Sequence, residues 1–492
     1  MRIDTYITEY ARKSPHNVAI EEGKNSISYS CLDEDINSIT SSMMDFGHCR
    51  FAILAESGIQ YIKMLMAVYR SNNIAIPLPI ELPMFSLERI LDTAHINNII
   101  ATETQYSRLG EDFFECFETV VVVSNDTSVK TLRKRIVREI NNPDTRLVLY
   151  TSGTTGTPKG VMLSDRNLIA NAGSIIEVLD IIPDDKAAMV ISPHHAFGNS
   201  IIDSQLMAGG SIGVGNMNFI ESTFSLIESG ISIFYGVPST YRMLLRHPER
   251  FKKAFGNVRM AASAGGGMDG VTVKNIKESN PDITILPMYG QTEATARLAY
   301  LPPEDVDKFG DTIGKPIPGV ILDVFDADNR PVGPDIAGEL VAKGDNILIG
   351  YLDDEMATEK KIIDGWMYTG DLAQKLPNGY FRLLGRKDDL IKIGDHRVNP
   401  REVEKYIENN NEVTNVFVVP VPHEIMGNAI SLMVIPGQGT DVENLHAFCR
   451  KNLPGYLCPR EILFIDNPPL SENGKISNRS IIEGYQNVKK SM

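Results

Sequence analysis

The run Leu147-Val148-Leu149-Tyr150-Thr151-Ser152-Gly153-Thr154-Thr155-Gly156-Thr157-Pro158-Lys159-Gly160 constrains this chain more than any other stretch. A short apolar segment of strand character leads straight into a loop of hydroxyls and glycines, closed by one proline and one lysine. Glycines let the backbone approach a bulky anion and turn several N–H groups toward it, and Ser/Thr hydroxyls add donors. The common P-loop needs Gly, four residues, Gly, Lys, then Ser or Thr. Counted from Gly153, the second glycine falls on Pro158, which removes a backbone donor, and Lys159 is followed by Gly160. The spaced-glycine dinucleotide pattern also fails, because no acidic ribose partner follows at the expected distance. Ser/Thr/Gly runs are often flexible linkers, but linkers seldom carry a buried-strand pattern on one side and Val161-Met162-Leu163 on the other. The run reads as a phosphate-gripping loop of another kind.

The length of 492 residues predicts roughly three domain-sized units, and a 42% hydrophobic content supports large cores without disulfide staples. Five cysteines (Cys31, Cys49, Cys116, Cys449, Cys458) form no CxxC pair and no metal spacing, which fits reduced thiols. Met1-Arg2-Ile3-Asp4-Thr5 lacks the apolar core of a signal peptide, and no apolar run reaches the roughly 18–20 residues that cross a bilayer. The net charge is −15 and the basic residues form no long cluster, which disfavours a nucleic-acid partner. The expectation is a soluble, acidic, cytoplasmic protein with no transmembrane segment.

Along residues 1–150, amphipathic helical segments alternate with short apolar strands. Ile62 to Tyr69 reads as helix, and Asn73-Ile74-Ala75-Ile76-Pro77-Leu78-Pro79 as a strand ended by prolines. The alternation continues through strands at Ala188–Ile191 and Ile231–Tyr235, predicting α/β layers on largely parallel sheets. Between about 312 and 385 the texture changes to strands closed by Gly, Pro and Asp-Asn turns, a β-rich module with little helix. From 388 a small α+β unit follows. Asn399-Pro400-Arg401-Glu402 is a helix start, and Val416–Val421 and Ile430–Ile435 read as strands. The expected fold class is therefore α/β: a large N-terminal region of layered α/β subdomains with a β-rich module, then a small α+β C-terminal domain.

Four further motifs follow the loop. They are Tyr289-Gly290-Gln291-Thr292-Glu293, Tyr368-Thr369-Gly370-Asp371, Gly385-Arg386-Lys387-Asp388-Asp389-Leu390-Ile391-Lys392 and Asn473-Gly474-Lys475. In this order and spacing, from about residue 8 to residue 480, the chain resembles the adenylate-forming superfamily. That family includes acyl- and aryl-CoA synthetases, peptide-synthetase adenylation domains and luciferases, and the chain looks nearest to stand-alone acyl-CoA or acyl-carrier-protein ligases. The resemblance implies an N-terminal adenylation domain over 1–387, with the β-rich module within it, and a mobile C-terminal lid domain over 388–492, turning at the hinge residue Asp388.

It also implies the site. ATP would be held by Thr151, Ser152, Gly153, Thr154, Thr155, Gly156 and Lys159, by Gly265 and Gly266, by Tyr289, Gly290, Gln291 and Thr292, and by Asp371, Arg386 and Lys475. Thr292 can donate its hydroxyl to the α-phosphate. Glu293 supplies the carboxylate that a hard cation such as Mg²⁺ prefers, the lesser alternative being a surface turn acid. Asp371 offers two acceptor oxygens to the ribose hydroxyls, with Arg386 as a second ribose or phosphate contact. The implied catalytic set is Lys475, Thr292, Glu293 and His195. Lys475 is to bridge the substrate carboxylate and the α-phosphate, where preorganised positive charge offsets the negative charge of the transition state. The nucleophile is already ionised near neutral pH, so no general base is needed.

Ser192-Pro193-His194-His195-Ala196-Phe197-Gly198 resembles the family's acid-binding segment. His195, Phe197, Tyr235, Gly236, Gly265 and Gly290 are the expected acid pocket, with His195 either an aromatic gate or a buried helix-start histidine. The glycines mean either open room for an acyl chain or close backbone packing. Amino-acid-activating relatives place an aspartate near Ala196; none is there, and Asp203 lies further along. Arg297 either meets a polar substrate group or lies on the surface. The family commonly has glycine after Gly394, where this chain has Asp395, a carboxylate beside the expected pantetheine tunnel.

The implied activity is an ATP-dependent acid–thiol ligase. A fatty or other non-α-amino carboxylic acid becomes acyl-AMP with release of pyrophosphate, and the acyl group passes to the phosphopantetheine of CoA or of a separate acyl carrier protein. The other readings are an amino-acid-adenylating ligase and a non-catalytic nucleotide- or acyl-binding relative.

Overall fold

In a computed structural model of the chain, residues 2–80, 84–135, 142–151, 158–215, 220–393, 396–410, 413–424, 426–437, 439–470 and 476–491 are described. Two compact units result: Met1–Leu322 with Ala342–Tyr368, and Asp323–Val341 with Thr369–Met492.

The first unit contains two large sheets. One has eight strands and includes the antiparallel hairpin of Thr145–Thr151 and Lys159–Ser164. The other has nine, and its central strands Lys186–Met189, Ile233–Gly236, Met260–Ser263 and Thr284–Tyr289 run parallel. The helix Ile59–Arg70 contacts strands of both sheets and is buried from Tyr61 to Tyr69. A helix apolar on all sides needs such enclosure. Its one charged residue there, Lys63, is paired with Asp35 at 2.6 Å.

The order of the second sheet fixes where a ligand can sit. Lys186–Met189 lies between Ser211–Val214 on one side and Ile233–Gly236 on the other. The chain thus steps one way after the first of these strands and the opposite way after the next. Connections on the two faces part there, leaving a crevice beyond the strand carboxyl ends.

In the second unit, Val413–His423, Gly427–Pro436 and Ile462–Phe464 form a three-stranded sheet covered on both faces. Val416 and Val418 face one apolar cluster with Ile407 and Leu445, while Phe417 and Val419 face another with Ile481. Double coverage explains why this strand reads as a continuous apolar run. The helix expected after Asn399 spans Pro400–Asn410, with Asn399 Oδ1 accepting from Arg401 N at 3.1 Å.

Several boundaries differ from the sequence reading. The strand expected at 188–191 is Lys186–Met189, because the chain leaves the sheet at Val190 to cross its end. The strand expected at 231–235 is Ile233–Gly236. Residues 312–385 also carry a helix, Glu355–Lys361, capped by the Asp354 side chain on Ala357 N. Residues 323–341 and 369–387, expected with the N-terminal domain, group with the C-terminal residues. Within that unit Glu339 accepts from Gly370 N at 3.1 Å and from Lys387 Nζ at 2.7 Å.

Candidate active site

The strands on either side of the expected anion loop pair as an antiparallel hairpin. Thr151 pairs opposite Lys159, and Ser152, Gly153, Thr154, Thr155 and Gly156 between them lie outside the described residues. The short strand Gly350–Tyr351 adds to the hairpin's free edge, with Tyr351 opposite Val161. This places the Tyr351 ring under Lys159, whose Nζ stands 5.1 Å from the ring centroid. The phenol oxygen of the same tyrosine donates to Glu293 Oε1 at 2.9 Å. Lys159 and Glu293, 134 positions apart, therefore share one aromatic ring.

Glu293 sits in a tight turn after the strand Thr284–Tyr289. Gly290 is required there: a Cβ would stand 1.9 Å from the Ala296 carbonyl oxygen. Thr292–Ala294 form a 3₁₀ turn, and Thr295 takes φ +64°. That strained conformation is held from outside. Thr295 Oγ1 donates to Asn346 O at 2.6 Å, and Asn346 Nδ2 donates back to Ala294 O and Arg297 O at 3.2 and 2.9 Å. Leu348 N bonds Glu293 O at 2.9 Å, and Lys361 Nζ donates to Gln291 Oε1 at 3.0 Å. Asn346, Tyr351 and Lys361 belong to no motif, and sequence reasoning missed all three; no local signal marks them.

The residues expected to form the acid pocket lie at the carboxyl ends of the parallel strands. Ser192–Phe197 follow the strand Lys186–Met189, Tyr235 and Gly236 end the next, and Gly265 and Gly266 follow the third. Gly236 pairs with Ser263, and Ser263 with Pro287, which aligns these ends with Tyr289 and Gly290. Gly265 and Gly266 are exposed and border Val237 and Pro238. The loop folds back onto its helix because residue 198 is glycine; a Cβ there would meet Ser192 O at 2.2 Å.

His195 occupies the N-cap position of the helix Ala196–Ala208 and is exposed, so the buried-histidine reading does not hold for it. The buried one is His194, which packs edge-on against Tyr61 and hydrogen-bonds Ser192 Oγ at 2.9 Å. Burial, with neighbouring His195, pushes the His194 pKa down to about 3. Asp203 is buried; burial, against a bond from Asn199, pushes its carboxyl pKa well above the usual range. Arg297 is not on the surface: it is 2% exposed, with its guanidinium carbon 4.1 Å from the Phe197 ring centroid. Phe197 in turn meets Tyr235 edge-on at 6.3 Å.

Asp371 and Arg386, in the second unit, face each other in the hairpin of Trp366–Lys375 and Phe381–Arg386. Arg386 Nη1 donates to Asp371 Oδ1 at 3.2 Å. Thr369 Oγ1 supports the turn by donating to Leu340 O and accepting from Asp371 N. The backbone of Asp388 lies in the 3₁₀ turn Lys387–Asp389, where Asn478 Nδ2 bonds Asp389 Oδ1 at 2.7 Å. Lys475, Gly394 and Asp395 lie outside the described residues.

Residues 7–352 match the family described as AMP-binding enzyme, and residues 402–475 the AMP-binding enzyme C-terminal domain. The chain is 26% identical to a probable CoA ligase, CCL9, of Humulus lupulus over 96% of this chain and 94% of that protein. It is 31% identical to a long-chain-fatty-acid–CoA ligase of Salmonella typhimurium over 70% of this chain and 62% of that one. Its fold matches ATP-bound MatB of Rhodopseudomonas palustris with a TM-score of 0.86 at 24% identity, covering 99% of this chain and all of that one. Among the described residues no helix is long and apolar enough to cross a membrane.

Proposed function

Because the chain belongs to the AMP-binding enzyme family of adenylate-forming acid–CoA ligases, we propose that it activates a non-α-amino carboxylic acid as acyl-AMP and passes the acyl group to a phosphopantetheine thiol of CoA or of a separate carrier protein. The observation that carries this reading is the Lys159–Tyr351–Glu293 arrangement. It sets a cation and an oriented carboxylate beside a hairpin turn of anion-gripping composition. Among the described residues no three His, Cys, Asp or Glu side chains gather as a metal cage. Glu293 would instead hold Mg²⁺ as a single carboxylate. The cation supplies charge neutralisation on the phosphates.

In the first step a substrate carboxylate oxygen attacks the α-phosphorus, and the bond to the β-phosphate oxygen breaks as pyrophosphate leaves. Lys159 and the 151–156 turn steady the departing phosphates, Thr292 donates to the α-phosphate, and Lys475 bridges the two reacting anions. Asp371 and Arg386 hold the ribose. In the second step the thiol sulfur attacks the acyl carbon, AMP leaves, and the thiol proton passes to solvent. Asp388 is the proposed hinge between the steps, and His195, exposed at the start of its helix, the proposed gate of the acid pocket.

The amino-acid-adenylating reading is disfavoured by charge: the pocket carries the cation Arg297, while Asp203 is buried and engaged by Asn199. The test is pyrophosphate exchange into ATP across a panel of acids, followed by addition of CoA or a pantetheinylated carrier. Exchange with at least one acid, lost in Lys475→Ala, is expected. No exchange above that control removes the enzyme reading.

A further inference from the structure

Arg297 is a buried cation that meets no counter-anion among the described residues. Its Nε stands 3.4 Å from Met288 Sδ, a weak acceptor, and its guanidinium lies over Phe197. Among the described residues no carboxylate pairs with it; Tyr235 is the only titratable neighbour acting on its charge. Burial lowers its pKa to about 10, so it is still protonated at neutral pH. Asp203, on the helix Ala196–Ala208 that also carries Phe197, does not act on its charge; that carboxyl accepts from Asn199 instead. A desolvated, unpaired guanidinium is costly, and a chain that keeps one is completed by an anion from elsewhere. Phe197, Tyr235 and Met288 belong to one apolar cluster at the carboxyl ends of the parallel strands, so that anion would reach Arg297 through the acid pocket.

We propose that the activated acid carries a second anionic group at its far end, a dicarboxylate or close analogue, and that Arg297 is the residue that selects it. The proposal rests on the adenylation reading for the identity of the pocket. A planar guanidinium accepts a carboxylate through two parallel N–H···O bonds. A monocarboxylic acid of equal length leaves the cation unpaired beside its methyl end, and an ammonium at that end is repelled. Sites built around a polar partner reject analogues lacking it far more strongly than apolar pockets reject an extra methylene.

The test compares malonate, succinate, glutarate and adipate with propionate, butyrate, valerate and hexanoate in pyrophosphate exchange. At least one dicarboxylate is expected to exceed its length-matched monocarboxylate by about a hundredfold in kcat/KM. Arg297→Met should reverse the preference, and Arg297→Lys should retain its direction. A gain on a monocarboxylate in the Met variant does not arise from misfolding. A wild-type preference for monocarboxylates, or an unchanged ratio in the folded Met variant, overturns the proposal. Calorimetric titration of the same acids into wild-type protein separates the two readings. If no acid supports exchange yet a dicarboxylate binds and Arg297→Met abolishes binding, adenylation fails and the Arg297 site stands. If no dicarboxylate binds, the proposal falls.

Discussion

The hydroxyl of Tyr351 donates to Oε1 of Glu293 at 2.9 Å. The bond fixes one carboxylate oxygen and so orients the other, which is how a lone carboxylate becomes a directed cation ligand. The same ring lies 5.1 Å below the Lys159 ammonium. One aromatic side chain thus sets the position of a positive and a negative group of the proposed triphosphate site.

Tyr351→Phe keeps the ring and removes the donor. Folding stability is expected to fall by only about 1 kcal/mol, while the apparent KM for Mg²⁺ rises several-fold and the KM for the acid stays the same. Initial rates against magnesium at saturating ATP read this out; an unchanged magnesium dependence shows that the bond does not orient the ligand.

Gly290→Ala tests the turn that carries Glu293. With a Cβ placed 1.9 Å from Ala296 O and 2.7 Å from Arg297 Cα, only backbone movement relieves the clash. A cost of more than about 3 kcal/mol is expected, with loss of exchange activity. Urea unfolding of the variant measures it, and a cost under about 1 kcal/mol contradicts the close approach.

His194 makes the fold acid-sensitive. Its pKa is depressed to about 3 from an ordinary 6.5, so between these values the unfolded chain binds a proton that the folded chain does not. Stability therefore rises with pH across that window, by up to about 1.4 kcal/mol per pH unit from this group. Unfolding free energies measured from neutral pH downward should show a shallower slope in His194→Asn. Equal slopes in the two proteins rule out a neutral buried His194.

Asp371→Asn replaces an acceptor oxygen with a donor opposite Arg386. Their pair is partly exposed, at 12% and 40% of the side chains, so stability should change by no more than about 1 kcal/mol. If Asp371 holds the ribose, the KM for ATP rises about tenfold or more with the acid KM unchanged. Fluorescent-nucleotide binding checks the same point without turnover.

The parts of the candidate site that the sequence marked are local. The Thr151–Lys159 turn, the Tyr289–Glu293 strand end and the Asp371 and Arg386 hairpin each announce themselves by glycines and by a change of period. Asn346, Tyr351 and Lys361 did not, because each acts on residues 49 to 70 positions away through bonds that leave no trace in its own neighbours. Arg297 shows the same limit: an arginine four residues past a motif reads equally as a substrate contact or as surface, and only the packing of Phe197 over it reveals a buried cation.

By itself the sequence determined the family and the α/β class, and pointed to the proposed anion loop, since these depend on residue types at short fixed spacings. The tertiary structure decided which distant groups share a ring, which histidine is buried and which arginine lacks a counter-charge. Those are matters of desolvation and long-range contact. Burial sets the pKa of His194 and keeps Arg297 without a counter-anion, and burial is a property of the whole packed unit, not of any stretch of chain.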